Sequence, residues 1–334
     1  MEENHQENNK KHFRHFAKQE TVVMLVEEIK KRDSLDYQDI IISFCKQLQN
    51  YFHAQFPHTD RTANRSRFIG KQEDLIRPRY LIGLSGGIDS SVATALAVKA
   101  MGKESVLPIT MPARPDDKQS VEMASLLRNF LGYAEEENTP FLIDIEPIIR
   151  SHIGVMFEKQ IPQIQLGESY YQQTKEEKMR SGNFASRVRA AVLYDFARAV
   201  RGRILGTVNR TEFCQGYNAK YGTPISYDFG VLNQLYKIDI YEIAKILEIP
   251  QEIIDADPTT GYFEGQTHEG ELGASIEEQD IFAYLLFEKN LSPEFVVKMY
   301  QANPEFVEIM RYRYEVCDHK RILNELQPHA KIKD

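Results

Sequence analysis

The stretch Tyr80-Leu-Ile-Gly-Leu84, followed directly by Ser85-Gly-Gly-Ile-Asp-Ser-Ser91, determines the fold that this sequence predicts. The first five residues form a short apolar run, which is typical of a buried strand in a parallel sheet. The segment Val92 to Met101 that follows is rich in alanine and favours a helix, which Gly102 would end. We therefore expect a strand, a glycine-containing turn and a helix in immediate succession.

The turn between this strand and this helix is expected to bind phosphate, because ligands of open parallel sheets bind at the carboxyl ends of the strands. Gly86 and Gly87 have no side chains, so backbone N–H groups can approach an anion, and the start of the helix adds further donors. Asp89 would repel a phosphate unless a cation lies between them, and Mg²⁺ is the natural cation. Hydroxyl donors to the same phosphate are available from Ser85, Ser90 and Ser91.

Strand-like and helical segments alternate after this turn. Further strands are predicted at 106–110, 141–145 and 203–207. A helix with an acidic N-terminal cap is predicted at 116–131, and another has an apolar stripe of Val188, Val192, Phe196 and Ala199. Helices are also predicted at 37–51, 240–247, 276–288 and 305–314. The alternation predicts an α/β, Rossmann-like three-layer fold with a mostly parallel central sheet and a helical C-terminal part.

Composition excludes several classes of protein. The chain has 334 residues, a net charge of -8 and 42% hydrophobic residues, so it can bury a core but is unlike a basic nucleic-acid binder. It has no apolar run long enough to span a membrane. Its three cysteines form no CxxC pair and no metal-ligand spacing, which favours a reducing, cytoplasmic setting.

The domain organisation predicted from the sequence has three parts. Residues 1–20 are polar and are expected to form a disordered tail. Residues 21–330 would form a single α/β domain. Within it, residues 154–181 are rich in Gln, Glu and Lys and show little periodicity, so they are a candidate lid or insertion.

The Ser85–Ser91 turn resembles the pyrophosphate-binding loop of the N-type ATP pyrophosphatases, a superfamily with the adenine nucleotide alpha hydrolase-like fold. The chain has no GxxxxGK[ST] motif, which excludes the kinase-type phosphate loop. The loop alone does not separate the superfamily members, which include NAD synthetase, GMP synthetase, asparagine synthetase and tRNA-modifying enzymes.

A second series of motifs is similar to the NAD synthetase family. In order, the motifs are Ser181-Gly-Asn-Phe-Ala-Ser-Arg187, Leu205-Gly-Thr-Val-Asn-Arg-Thr-Glu212, Gly216-Tyr-Asn-Ala-Lys220-Tyr-Gly222, Leu235-Tyr-Lys237, Pro258-Thr-Thr260 and Gly265-Gln-Thr-His-Glu269. The resemblance extends from about Tyr37 to about Glu288. It implies that the protein adenylates the nicotinate carboxylate of deamido-NAD with ATP, releases pyrophosphate, and then lets ammonia displace AMP.

The resemblance also implies roles for individual residues. Asp89 and Lys237 would be catalytic, and Asp89 and Glu212 would share Mg²⁺. Deamido-NAD would contact Asn183, Arg187, Lys220 and Asp228. ATP and pyrophosphate would contact Leu84, Ser85, Gly86, Gly87, Ile88, Asp89, Ser90, Ser91, Thr207, Lys237 and Thr259.

The chain departs from the family pattern at Thr223, His268 and Asp257, among other positions. The family usually has an aspartate where Thr223 stands, often has one where His268 stands, and has lysine or proline where Asp257 stands. The ATP side therefore matches better than the acceptor side. Two alternatives stay open, namely the same chemistry on a different carboxylic acid, or a non-catalytic ATP-binding relative. A tRNA-modifying thiolase would need a nucleophilic cysteine or a CxxC pair and a basic face, and the chain has no CxxC pair and no overall basic charge.

The resemblance has two further implications. Relatives are homodimers, so a homodimer is expected. Many relatives have a separate glutaminase domain, and this chain has no residues to spare for one. We therefore expect free ammonia, or ammonia delivered by another protein, to be the nitrogen source.

Overall fold

The computed structural model of the protein describes residues 15–32, 36–55, 79–114, 117–133, 141–158, 175–256, 270 and 272–321. The strands are β1 (Tyr80–Gly83), β2 (Val106–Ile109), β3 (Arg203–Gly206) and β4 (Phe229–Gly230). The helices before β3 are α1 (Gln19–Lys30), α2 (Tyr37–Gln55), α3 (Ile88–Met101), α4 (Lys118–Phe130), α5 (Glu146–Glu158) and α6 (Lys175–Val200). The later helices are α7 (Arg210–Gln215), α8 (Lys237–Ile246), α9 (Gln251–Ile254), α10 (Ile276–Ala283), α11 (Pro293–Tyr300), α12 (Pro304–Val316) and α13 (Asp318–Arg321).

The four strands form a parallel sheet in the order β2-β1-β3-β4. The chain that leaves β1 continues to β2, which lies beside β1 on one side, and β3 lies beside β1 on the other side. The carboxyl ends of β1 and β3 therefore form a topological switch point, where open α/β sheets bind their ligands.

Helices cover both faces of the sheet, as the strand sequences require. Tyr80 and Ile82 of β1 pack on one face, in a core with α2, α3 and α8. Leu81, between them, packs on the other face in a core with α5 and α6. This alternation follows from the two-residue period of a strand, and it produces the predicted three-layer α/β architecture.

A further core joins the N-terminal helix to the C-terminal helices. Phe16, Leu25 and Ile29 are buried there together with Phe282 and Phe306. The expected disordered tail is therefore wrong for residues 15–20, because Phe16 is 5% exposed and forms a β-bridge with Ala302. Residues 1–14 lie outside the described part of the chain.

Two predicted elements differ from the structure. The strand predicted at 141–145 is reduced to one bridge, between Thr110 and Leu142, because the chain turns into α5 directly afterwards. The helix predicted at 116–131 begins at Lys118, and Asp117 does not cap it. Instead, the Asp117 carboxylate accepts hydrogen bonds from the backbone N–H and the guanidinium of Arg114.

One further expectation needs correction, and another concerns a segment that the described residues cover only in part. In α6 the buried stripe is centred on Leu193 and Ala197, flanked by Val192 and Phe196, while Ala199 is exposed. The predicted insertion at 154–181 is helical at both ends, because α5 continues to Glu158 and α6 begins at Lys175. Residues 159–174 lie outside the described ranges.

Within the described ranges, no helix combines the length and the apolar character that crossing a membrane requires.

Candidate active site

The site lies where β1 and β3 end side by side. The register pairs Ile82 with Leu205, so the chains leaving the two strands, at Leu84 and Thr207, emerge together at the same edge of the sheet. The turn after β1 leads into α3, and the segment after β3 leads into α7. The fold thus brings the predicted phosphate turn next to Thr207 and to the start of α7.

The two glycines of the phosphate turn have different roles. Gly86 has a φ of +84°, and a Cβ atom there would lie 2.4 Å from the carbonyl oxygen of Ser120 in α4. Gly87 is exposed, and a Cβ there would meet only the Oγ of Ser85, at 3.6 Å. Gly86 is therefore needed for packing, and Gly87 is the glycine that leaves the turn open to a ligand.

The open side of the turn presents the start of α3. Gly87 is the N-cap residue and has no side chain to accept hydrogen bonds from the first-turn N–H groups. Those N–H groups and the positive end of the helix dipole suit a bound anion.

The serine hydroxyls are mostly used within the turn. Ser90 Oγ and Ser91 Oγ both donate to the carbonyl oxygen of Gly87, at 3.0 and 2.9 Å. Both serines are buried, whereas Ser85 is exposed. Ser85 Oγ contacts Ser90 Oγ at 3.0 Å and accepts the Gly87 N–H at 3.3 Å, so it also takes part in the turn. Because Ser85 is exposed, it is the serine of the three that a ligand can reach, whereas Ser90 and Ser91 shape the turn.

Asp89 is the centre of a polar cluster that links both strand ends. The ammonium group of Lys237, at the start of α8, donates to Asp89 Oδ2. The Nδ2 of Asn209, which precedes α7, donates to Asp89 Oδ1 at 3.0 Å. Asn209 in turn accepts from the backbone N–H of Glu212 at 2.8 Å, and its own N–H donates to Glu212 Oε2 at 3.3 Å. Three residues predicted from the sequence, Asp89, Glu212 and Lys237, are thus brought together.

The charges of this cluster perturb one another. Burial, and then the negative charge of Asp89, raise the pKa of Glu212 above its ordinary value. Burial would lower the pKa of Lys237, but the charges of Asp89 and Glu212 outweigh it and raise that pKa. The positive charge of Lys237, which is 5% exposed, is therefore favoured by the two acidic groups beside it, Asp89 and Glu212.

Two residues of this region were not singled out from the sequence. Asn209 is the N-cap of α7, and the spacing Asn209-x-x-Glu212 is a capping box, which is a pattern visible in the sequence. Asp280 is fully buried in α10 and accepts from Thr211 Oγ1 and from the Ile238 N–H at 2.8 Å. Because these contacts join distant segments, no local pattern indicates Asp280.

The two carboxylates fit a magnesium ion by their chemistry. Mg²⁺ is usually held by one or two carboxylates together with phosphate oxygens and water. Asp89 and Glu212 provide that number of carboxylates. Burial and the charge of Asp89 disfavour the ionised form of Glu212, and a bound cation would favour it. In the part of the chain that the structure describes, no group of three or more His, Cys, Asp and Glu side chains could hold a metal by itself.

Residues predicted to contact the dinucleotide are partly brought together. Arg187 in α6 donates through Nε to the carbonyl oxygen of Lys220, at 3.0 Å, and through Nη1 to that of Asn183, at 3.4 Å. Asp228 lies apart from them, and its carboxylate accepts the Ile204 N–H at 2.8 Å, near the start of β3.

Of the named positions that depart from the family pattern, the structure describes Thr223. Thr223 is next to α6, where its N–H donates to the Ser186 carbonyl oxygen at 3.1 Å. The predicted residue Thr259, and the departures at Asp257 and His268, lie outside the described residues.

Comparison with known proteins identifies the family. A family model described as NAD synthase matches residues 75–324. The NH(3)-dependent NAD(+) synthetase of Thermococcus kodakarensis is 37% identical over 244 residues, which are 73% of this chain and 87% of that protein. Solved structures with the same fold include the NMN synthetase from Francisella tularensis, with a TM-score of 0.63 and 24% identity over 86% of this chain and 98% of that chain. Another is the NH3-dependent NAD synthetase from Campylobacter jejuni, with a TM-score of 0.60 and 23% identity over 88% of this chain and all of that one. The chain belongs to the NAD synthase family.

Proposed function

We propose that the protein is an ammonia-dependent NAD synthetase, an ATP-dependent ligase that converts the nicotinate carboxylate of deamido-NAD to the amide. The observation that carries the proposal is the polar cluster in which Lys237 and Asn209 both bind Asp89 beside the phosphate turn. Family membership supports it, because matching relatives have the name NH(3)-dependent NAD(+) synthetase.

In the first step, a carboxylate oxygen of deamido-NAD attacks the α-phosphorus of ATP, and the bond to pyrophosphate breaks. Pyrophosphate leaves with negative charge, so the residues around it must favour that charge. The Gly87 side of the turn and the start of α3 would bind the departing phosphates, together with Leu84, Ser85 and Ile88. Lys237 would add a positive charge there, which is supported by its burial and its ion pair with Asp89.

Mg²⁺, when bound by Asp89 and Glu212, would neutralise phosphate oxygens and polarise the reacting phosphoryl group. Asn209 would keep the two carboxylates in place, since it contacts both. Thr207, which follows β3, would contact ATP from the other side of the turn, and we propose that Thr259 does so as well.

In the second step, ammonia attacks the acyl carbon of the adenylate, AMP departs, and a proton is lost from the nitrogen. AMP is a far better leaving group than an oxide ion, which is why the first step is needed. Asn183, Arg187 and Lys220 would bind the dinucleotide, because Arg187 already joins their backbones. Asp228 would bind it nearer the amino ends of the strands.

Three properties of the working enzyme belong to the same proposal. We propose that it acts as a homodimer, that it uses free ammonia or ammonia from a separate donor protein, and that it works in the cytoplasm. The free thiols of Cys45, Cys214 and Cys317 support a reducing compartment.

The proposal is tested by measuring pyrophosphate and NAD formation from deamido-NAD, ATP, Mg²⁺ and ammonium. Replacing Lys237 with alanine should lower turnover by about 100-fold or more, because a buried charge that meets the leaving group is lost. Lys245 lies on the same helix but is 59% exposed, so Lys245→Ala is the matched control and should stay within about 2-fold of the wild type.

The acceptor is tested in the same assay. Deamido-NAD should be amidated much faster than nicotinic acid mononucleotide, and glutamine should not replace ammonium. ATP binding without pyrophosphate release from any acid would contradict the ligase and would favour a non-catalytic relative.

A further inference from the structure

The N-terminal helix contacts the helix that begins with Lys237. Residues 15–32 precede the part of the chain that matches the NAD synthase family, which begins at residue 75. Nevertheless, α1 packs against α8 and α10, and its last turn leads to Arg32, beside the start of α8. The segment is therefore close enough to influence the active site without contacting substrate.

Arg32 binds Asp239 of α8 through two parallel hydrogen bonds. Nη1 donates to Asp239 Oδ1 at 3.0 Å, and Nη2 donates to Asp239 Oδ2 at 2.5 Å. The Arg32 side chain is 13% exposed and that of Asp239 is 1% exposed, so this is a buried ion pair. Arg32 also lies over the ring of Tyr236, with Cζ 4.8 Å from the ring centroid, and donates to the Gln234 carbonyl oxygen at 3.3 Å.

Asp239 in turn organises the first turn of α8. Its Oδ2 accepts the backbone N–H of Tyr236 at 2.8 Å, and its Oδ1 accepts the hydroxyl of Tyr37 at 2.8 Å. Tyr236 is the N-cap residue, and Lys237 is the first residue of the helix. One carboxylate thus joins Arg32 to the backbone immediately before Lys237.

We infer that Arg32 is a positioning residue for the reaction, which holds the start of α8 through Asp239 so that the Lys237 ammonium stays on Asp89. The inference rests on the role proposed above for Lys237. Arg32 acts through the helix start and does not itself contact the substrate.

Loss of Arg32 would leave a carboxylate buried without its main cationic partner. A buried charge in that state rearranges towards water or takes up a proton, because burial strongly disfavours an unpaired ion. Either change weakens the contact between Asp239 and the Tyr236 N–H. The first turn of α8 would then be free to shift, and Lys237 would move with it.

The same two helices provide a matched control. Lys30 of α1 donates to Glu242 of α8 at 3.0 Å, and their side chains are 26% and 28% exposed. This pair also joins α1 to α8, but it lies away from the helix start. Lys30→Ala therefore loosens the same interface without disturbing Tyr236 or Lys237.

The experiment compares Arg32→Ala, Lys30→Ala and the wild type as full chains. We expect Arg32→Ala to lower kcat by about 10-fold or more, with the KM for deamido-NAD nearly unchanged, while Lys30→Ala stays within about 2-fold of wild type. The second readout does not depend on activity. An amine-reactive reagent should label Lys237 several-fold faster in Arg32→Ala than in the wild type or Lys30→Ala, as measured by peptide mass spectrometry.

Arg32→Lys provides a second variant, because it keeps the charge but cannot make the two parallel hydrogen bonds. It should fold and should lose part of the turnover, with intermediate labelling of Lys237. The inference is overturned if folded Arg32→Ala has wild-type kcat and labelling, if Lys30→Ala loses as much, or if Arg32→Lys is fully active. If Lys237→Ala itself keeps normal activity, the role of Lys237 is wrong instead, so the two failures are distinguishable.

Discussion

At the scale of single residues, the two adjacent glycines of the phosphate turn are required for different physical reasons. Gly86 has a positive φ and a backbone carbonyl in the space that a Cβ would occupy. Gly87 has an ordinary φ of -80° and faces open space. Any ligand at the start of α3 would approach the Gly87 side.

The two glycines should therefore respond differently to alanine. Gly86→Ala should destabilise the protein by about 1–3 kcal/mol, because the added methyl group meets the Ser120 carbonyl in a strained conformation. Gly87→Ala should leave the free energy of unfolding within about 0.5 kcal/mol of wild type but raise the KM for ATP. Urea unfolding and ATP kinetics measure the two effects, and equal loss of stability in both variants would contradict this interpretation.

At the scale of elements, the site depends on where two helices begin. Asn209 caps α7, and the carboxylate of Glu212 is in the first turn of that helix. Lys237 is the first residue of α8. Asp280 accepts hydrogen bonds from the first turns of both helices, and burial raises the pKa of Asp280 to about 7. One buried side chain thus sets the distance between the two helix starts.

Asn209 both caps α7 and donates its amide to Asp89, and replacing it with aspartate keeps the cap while removing the amide. Aspartate is as good an N-cap residue as asparagine, so α7 should keep its stability. The amide donor to Asp89 is lost, and a third carboxylate is added beside Asp89 and Glu212. We expect turnover to fall by about 10-fold or more. We also expect the melting temperature to fall, because Asn209 is 1% exposed and the new carboxylate lies beside Asp89 and Glu212.

Asn209→Ala is the comparison variant. It removes the cap as well as the amide, and should cost about 1 kcal/mol of stability in addition to activity. Wild-type turnover in Asn209→Asp would show that the amide contact with Asp89 has no role.

At the scale of the whole molecule, the active-site charges oppose folding. The chain has a net charge of -8, and the site places a partly buried Glu212 next to Asp89. The stabilisation comes from elsewhere, chiefly from the cores on both faces of the sheet and the core that joins α1 to the C-terminal helices. Stability and activity therefore have different requirements at this site.

This opposition predicts a pH dependence of stability. Burial, and then Asp89, raise the folded-state pKa of Glu212 above its ordinary value of 4.5. The contribution of Glu212 to stability is therefore full below about pH 4.5 and is lost as the pH rises through the raised pKa. Glu212→Gln has no such charge, so without ligands it should melt close to the wild type at pH 5 and about 2 °C or more above it at pH 8.

Glu242→Gln should behave in the opposite way. Partial burial would raise the pKa of Glu242, but hydrogen bonds from Lys30 and Lys245 lower it overall. Its charge therefore stabilises the fold above its ordinary pKa, and the glutamine variant should lose stability relative to the wild type as the pH rises. A difference in melting temperature between Glu212→Gln and the wild type that does not change with pH would contradict the assignment.

Local patterns in the sequence were sufficient for the main elements of the fold and for the position of the phosphate turn with Asp89. The apolar run before Ser85, the glycine pair and the alanine-rich helix predicted the β1–α3 unit, because strand and helix periods and turn chemistry act over a few residues. Asp89 was predicted from the phosphate turn, and Glu212 and Lys237 from the family resemblance. The structure brings the three side chains together, and their roles stay predictions. The prediction of a strand at 141–145 was wrong, since the structure has a single bridge there. Composition alone cannot distinguish one paired residue from a strand.

Only the tertiary structure decided which residues complete the site. Asp280 and Arg32 contact segments far away in the chain, and nothing in their own neighbourhoods indicates those partners. The buried position of Phe16 depends in the same way on Ala302 and on the C-terminal core. Periodicity and turn residues report what a segment does with its neighbours along the chain. Burial and ion pairing depend on neighbours in space, which exist only once the layers have packed.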